Sequence, residues 1–124
     1  DMALAYAMER KTFGKPIAEH QAIQLKLAEM STRAAAATLL VQQAAKKYDL
    51  GERCDLEAGQ AKFFASESAV QNSLDAMRVF GGYSYSPEYE IVRFYRDAPL
   101  LCIGEGTNEI QRMIIAKQMV SRAR

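Results

Sequence analysis

The residue of this chain best equipped to do chemistry is Glu105, in the run Gly104-Glu105-Gly106-Thr107-Asn108-Glu109-Ile110. A glycine on each side leaves the backbone permissive and the carboxylate uncrowded. The apolar run Pro99 to Ile103 precedes it and an amphipathic segment follows. Thr107 or Asn108 can cap the helix that this segment forms, and the Thr107 hydroxyl is also available to a ligand. A carboxylate held beside a helix entry in apolar surroundings suits general-base chemistry. The same residues also fit an ordinary loop feeding a capped helix, and spacing alone does not separate the two.

The elements that must hold this loop read as helices throughout. Met2 to Glu9 is the end of a helix, followed by a turn from Arg10 to Pro16. From about Glu19, Ile23, Leu27, Met30, Ala34, Ala37, Val41, Ala44 and Tyr48 recur at three-four spacing, a stripe that predicts one long helix ending at Asp49-Leu50-Gly51. A second stripe runs through Leu56, Phe63, Val70, Leu74 and Met77, with Gly59, Ser66 and Ser73 as small contacts, and Gly81-Gly82 stops it. Pro87 opens a short helix through about Tyr95, which Arg96-Asp97-Ala98-Pro99 breaks. The last helix spans Asn108 to Arg122 with Ile110, Met113, Ile114 and Lys117 on one face, and no strand is predicted. The fold class is therefore all-α, an antiparallel up-and-down helix bundle of the four-helix type with a truncated first helix. So short a first helix leaves much of a long apolar stripe uncovered, which predicts cover from upstream residues, another domain or another subunit.

Bulk properties exclude several functions. Sixteen basic and 15 acidic side chains give a net charge of +1, so neither nucleic acid nor a membrane surface is an expected partner. No apolar run approaches the roughly 20 residues that span a bilayer. One histidine and two distant cysteines, Cys54 and Cys102, make no metal-ligand pattern, and free thiols are expected. Met30, Met77, Met113 and Met119 read as core filler.

Five motifs then fall in order: Glu9-Arg10-Lys11-Thr12-Phe13-Gly14-Lys15-Pro16, Glu19-His20-Gln21, Phe80-Gly81-Gly82-Tyr83, Tyr95-Arg96-Asp97-Ala98, and Glu105-Gly106-Thr107-Asn108-Glu109-Ile110-Gln111-Arg112. Together they resemble the C-terminal helical domain of the acyl-CoA dehydrogenases, over essentially all of residues 1–124. The resemblance implies an oxidoreductase of fatty acid metabolism, a flavoprotein that uses FAD to oxidise acyl-CoA thioesters to trans-2-enoyl products. It implies an N-terminal helical domain and a middle β-domain in the whole enzyme, with this chain as the last of three. It further implies a homotetramer or dimer that passes electrons to an electron-transferring flavoprotein. The expected setting is the bacterial cytoplasm or the mitochondrial matrix. Without the middle domain, the chain alone is expected to be inactive.

By the same resemblance, Glu105 is the base that removes the α-proton while hydride leaves the β-carbon for flavin N5, and Gly106 lies against the substrate. Desolvation in a closed site raises a carboxylate toward neutral pH, which matches a base to so weak a carbon acid. Arg10 reaches the FAD of a neighbouring subunit near its pyrophosphate, a task suited to a forked, permanent cation. Phe13 contacts FAD, His20 and Gln21 lie near the same cofactor, and Gly81 and Gly82 let backbone approach the dinucleotide. Thr107, Asn108 and Glu109 touch FAD in the subunit that carries the base. Arg78 stands where a glutamine commonly contacts the cofactor, Ser84 where a glycine is common, and Glu109 where some members have glutamine. An acyl-CoA oxidase, another carbon-acid flavoenzyme of this fold, and a non-catalytic helical assembly domain are the alternatives.

Overall fold

A computed structural model describes residues 1–124. Five helices follow one another: α1 (Met2–Glu9), α2 (Gln21–Asp49), α3 (Asp55–Phe80), α4 (Ile91–Ile103) and α5 (Asn108–Arg122). The all-α bundle is as expected, and α3 is its axis, packed on each of the other four helices. Gly81, at φ 61°, ends α3 in a conformation that costs a side-chain-bearing residue strain. An apolar cluster at that end joins Ala3 and Ala7 of α1, Ile17, Ala76, Val79 and Phe80 of α3, and Ile91 of α4.

Two elements differ from expectation. The Arg10–Pro16 turn is a minimal antiparallel hairpin, with β1 (Lys11–Thr12) paired to β2 (Lys15–Pro16). Phe13 and Gly14 at its tip both have positive φ, 51° and 81°, as a two-residue hairpin turn that follows the strand twist requires. Helix α4 begins only after Pro87 and runs straight through Pro99 instead of breaking before it. Proline removes one bond to the carbonyl four residues back. That carbonyl belongs to Tyr95, an exposed residue of α4.

The helix faces are also rotated from their apolar stripes. On α2, Val41 and Tyr48 are exposed, while Arg33 and Lys47 turn toward α3. A helix of 3.6 residues per turn drifts away from a strict three-four repeat over this length. On α5, Asn108 and Gln118 are buried and Ile110, Met113, Met119 and Val120 are exposed, so Met113 and Met119 are not core filler. Met30 and Met77 do pack against the core. No residue of α2 is fully buried; Ile23, Leu27 and Met30 of its stripe pack against the core, while Val41 and Tyr48 are left uncovered.

The rotations serve two buried carboxylates on α3. Asp75 accepts from Arg33 at 3.0 Å, Arg78 at 3.0 Å and Gln71 at 3.2 Å, with Lys26 at 3.8 Å. Burial pushes its pKa up, but the hydrogen bonds from Gln71, Arg33 and Arg78 prevail and hold it below the ordinary value. Glu57 takes a forked pair from Arg122 of α5, at 2.8 and 3.1 Å, and a third bond from Lys47 of α2 at 2.8 Å. The Arg122 and then Lys47 hydrogen bonds pull its pKa from 4.5 to about 2. A carboxylate whose pKa is depressed by folding stabilises above its unfolded value, and that contribution fades as pH falls toward the folded one. The protein is therefore expected to lose stability between about pH 4.5 and 2, with a shallower acid slope in Glu57→Gln. Thermal unfolding at stepped pH checks this; parallel slopes would show that the Glu57 network contributes nothing.

Candidate functional site

The loop between α4 and α5 is strained at its carboxylate. Glu105 has φ 54° and Gly106 φ 82°, so two successive residues occupy the left-handed region. For a residue with a Cβ this costs roughly 1–2 kcal/mol, and such strain concentrates where a side chain must be aimed. Thr107 is the cap of α5: its Oγ1 accepts from the Ile110 N–H at 3.4 Å, which resolves the choice between Thr107 and Asn108. A Cβ on Gly106 would stand 2.9 Å from Gln111 Nε2, and that amide donates at 3.4 Å to the Gly106 carbonyl. Gln111 thus folds back over the loop.

Glu105 borders a cleft of about 610 Å³ whose other walls are Lys62, Ala65 and Ser66 of α3, Leu100 and Leu101 of α4, and Gly104. It is the only carboxylate there. Asn108 does not face outward. Its Oδ1 accepts from Lys62 Nζ at 2.8 Å and Ser66 Oγ at 3.1 Å, and its Nδ2 donates to Glu67 Oε1 at 2.9 Å. Its side chain is committed to the interior, where it anchors the first turn of α5 on α3. Glu109 is exposed and lies 3.6 Å from Arg112; hydrogen bonds from its own backbone N–H and from Thr107 lower its pKa.

A second cleft, of about 550 Å³, gathers Arg10, His20, Gly81 and Gly82, four residues that the sequence groups by motif alone. The Arg10 guanidinium lies 5.6 Å from the centre of the Tyr83 ring. His20 Nε2 is 2.9 Å from Thr12 Oγ1, which ties the start of α2 to the hairpin. A Cβ added to Gly81 or Gly82 would meet nothing within 4 Å, so both backbones border open space. Ser84 closes the turn after α3 by donating from Oγ to the Gly81 carbonyl at 2.7 Å. Phe13 stands at the hairpin tip, 97% exposed, with its ring edge-on to His20. Gln21 is exposed at the first turn of α2. Arg78 is held by Asp75.

The two clefts lie far apart. From Ala65 to Gly81, at the end of α3, the helix advances about 24 Å at 1.5 Å per residue. A ligand touching both must be long, or each cleft serves a different bound molecule. Lys62, Ser66 and Gln111 are the site residues that sequence reasoning did not single out. Their spacing on α3 and α5 is ordinary helix spacing, and only the packing of α5 on α3 reveals them.

Gly106→Ala should lower stability by about 1–2 kcal/mol, since the left-handed backbone and the Gln111 amide both oppose a methyl group. The urea midpoint measures it, and an unchanged midpoint would mean that the loop relaxes freely.

Residues 1–120 match the family model described as acyl-CoA dehydrogenase, C-terminal domain. The 3-(aryl)acrylate reductase of Clostridium sporogenes is 52% identical over 120 residues, which is 97% of this chain and 32% of that protein. The butyryl-CoA dehydrogenase structure from Megasphaera elsdenii superposes with TM-score 0.93 at 41% identity, over 95% of this chain and 31% of the other. PigA, solved as its FAD complex, does so with TM-score 0.93 at 34% identity, over 98% and 32%. The chain spans about a third of the length of each of these proteins. The chain belongs to the acyl-CoA dehydrogenase family and has the fold of its all-α C-terminal domain.

Proposed function

We propose that residues 1–124 are the C-terminal domain of an FAD-dependent acyl-CoA dehydrogenase in which Glu105 abstracts the α-proton of an acyl-CoA thioester. The observation that carries this is the Glu105 carboxylate at the mouth of a largely apolar cleft, sole of its kind there and aimed by a strained backbone. Leu100, Leu101 and Ala65 give the cleft apolar walls suited to an acyl chain. The α-proton passes to Glu105, and the electron pair of that C–H bond forms the new α,β double bond. When bound, FAD supplies the acceptor for the hydride that leaves the β-carbon.

The residues around the second cleft fit a dinucleotide. Arg10 offers a fixed cation and forked donors for a pyrophosphate. Gly81 and Gly82 offer bare backbone to close approach, and Phe13 an uncovered ring. The distance between the clefts favours the reading that Arg10 and the glycines serve the FAD of a neighbouring subunit. Thr107 and Glu109, beside the base, would serve the subunit's own FAD. Asn108 would act there by holding α5 in register. Gly106, next to the base, would lie against the substrate. We further propose a homo-oligomeric protein of the bacterial cytoplasm that delivers electrons to an electron-transferring flavoprotein.

The 52% identity to a 3-(aryl)acrylate reductase supports a second reading, with the same groups working in reverse. Glu105 would then donate a proton to the α-carbon of an unsaturated acyl group. Assaying saturated and unsaturated substrates of the full-length protein separates the two directions.

In the full-length protein, Glu105→Gln should keep its FAD and bind acyl-CoA while flavin reduction slows about 100- to 10,000-fold, the usual worth of a positioned base. Stopped-flow bleaching with a panel of thioesters measures it, and near-wild-type rates would show that the base lies elsewhere. Arg10→Ala should lower flavin content and weaken the oligomer together. Unchanged flavin absorbance and sedimentation would remove Arg10 from the cofactor site. The isolated 124-residue chain should turn over none of the thioesters in the panel.

A further inference from the structure

We propose that Lys62 is a positioning residue that clamps both ends of the Glu105 loop to α3; this rests on the reading of Glu105 as the base. Lys62 Nζ donates at 2.8 Å to Asn108 Oδ1, at the first residue of α5. It also donates at 3.4 Å to the Cys102 carbonyl, in the last turn of α4. One ammonium group therefore joins the helix that leads into the loop to the helix that leaves it.

The chemistry of both partners suits a cation. The last carbonyls of a helix lack intrahelical donors and carry the negative end of its dipole, so the Cys102 oxygen is an acceptor in need of one. Asn108 Oδ1 is buried, and without Lys62 its remaining donor is Ser66. A charge-assisted bond there is about twice as strong as a neutral one.

Between Cys102 and Asn108 the side-chain restraints on the loop are weak. Gly104 and Gly106 are intrinsically pliant, and the Gln111 amide reaches the loop carbonyls only at 3.4 to 3.5 Å. The strained backbone at Glu105 would relax if either flanking helix end moved. Lys62 also forms part of the wall of the cleft that Glu105 borders, so its loss is felt at the site itself.

The test uses the full-length, flavin-bound protein with Lys62→Met and Lys62→Arg. Hydrogen–deuterium exchange should quicken about tenfold or more at residues 103–108 of Lys62→Met, the scale of one lost charge-assisted hydrogen bond. Exchange elsewhere and flavin content should hold. With the thioester that reduces the wild-type flavin fastest, kcat should fall about 10- to 100-fold, as misplacement of a reacting group does. KM should change less than kcat, and Lys62→Arg should restore most of the rate. Unchanged exchange in the loop, a rise spread evenly over the whole chain, or wild-type kcat in Lys62→Met would each overturn the proposal. If Lys62→Met does not fold, Lys62→Gln replaces it with the same outcomes. Glu105→Gln is assayed in parallel. Wild-type turnover in that variant refutes the base reading, whereas an inactive Glu105→Gln beside a wild-type Lys62→Met refutes the clamp alone.

Discussion

Two carboxylates inside α3 constrain everything around them. A buried charge is tolerated only when it is paired and hydrogen-bonded, so Asp75 and Glu57 dictate what must stand opposite. Arg33 and Lys47 are drawn from α2, and Arg122 from α5. These pairings limit how far each helix can rotate about its own axis, because a cation that reaches a buried oxygen on α3 must stem from the side of its helix nearest α3. All buried side-chain polar atoms find partners, so the network is complete.

That rotation positions the loop at the other end of α5. With Arg122 held by Glu57 at one end and Asn108 by Lys62, Ser66 and Glu67 at the other, α5 lies along α3 in a single register. Gly59 supports the same register: a Cβ there would come within 3.1 Å of Ile115. The direction of the Glu105 carboxylate thus depends on polar contacts spread along the whole of α3, many residues from the site.

The bounds of α1, α2, α3 and α5 were legible in the sequence because glycines, a threonine cap and long periodic stretches mark them. The grouping of Arg10, His20, Gly81 and Gly82 was legible only from motif order, since they come from three separate segments. What could not be read was which way each helix faces. On α5 the sequence suggests a buried face of Ile110, Met113, Ile114 and Lys117, yet Ile110 and Met113 are exposed and Asn108 and Gln118 are buried on another side. Local periodicity assumes that apolar residues turn inward, and it fails where buried acids recruit the polar face. The path of α4 through Pro99 escaped for a related reason. A proline's cost depends on whether the carbonyl it deprives is open to water, which is a fact of packing.

The uneven chemistry of the interior leaves the molecule with two kinds of cement. Near Phe80, the end that joins α1, α3 and α4 is bonded by apolar contact, which carries no charge for salt to screen. Along α5, attachment adds ion pairs and amides to apolar contact, and the partly exposed ion pairs weaken with salt. Urea and guanidinium chloride should therefore dismantle this fold in different orders, the ionic denaturant loosening α5, and the carboxylate loop with it, ahead of the apolar end.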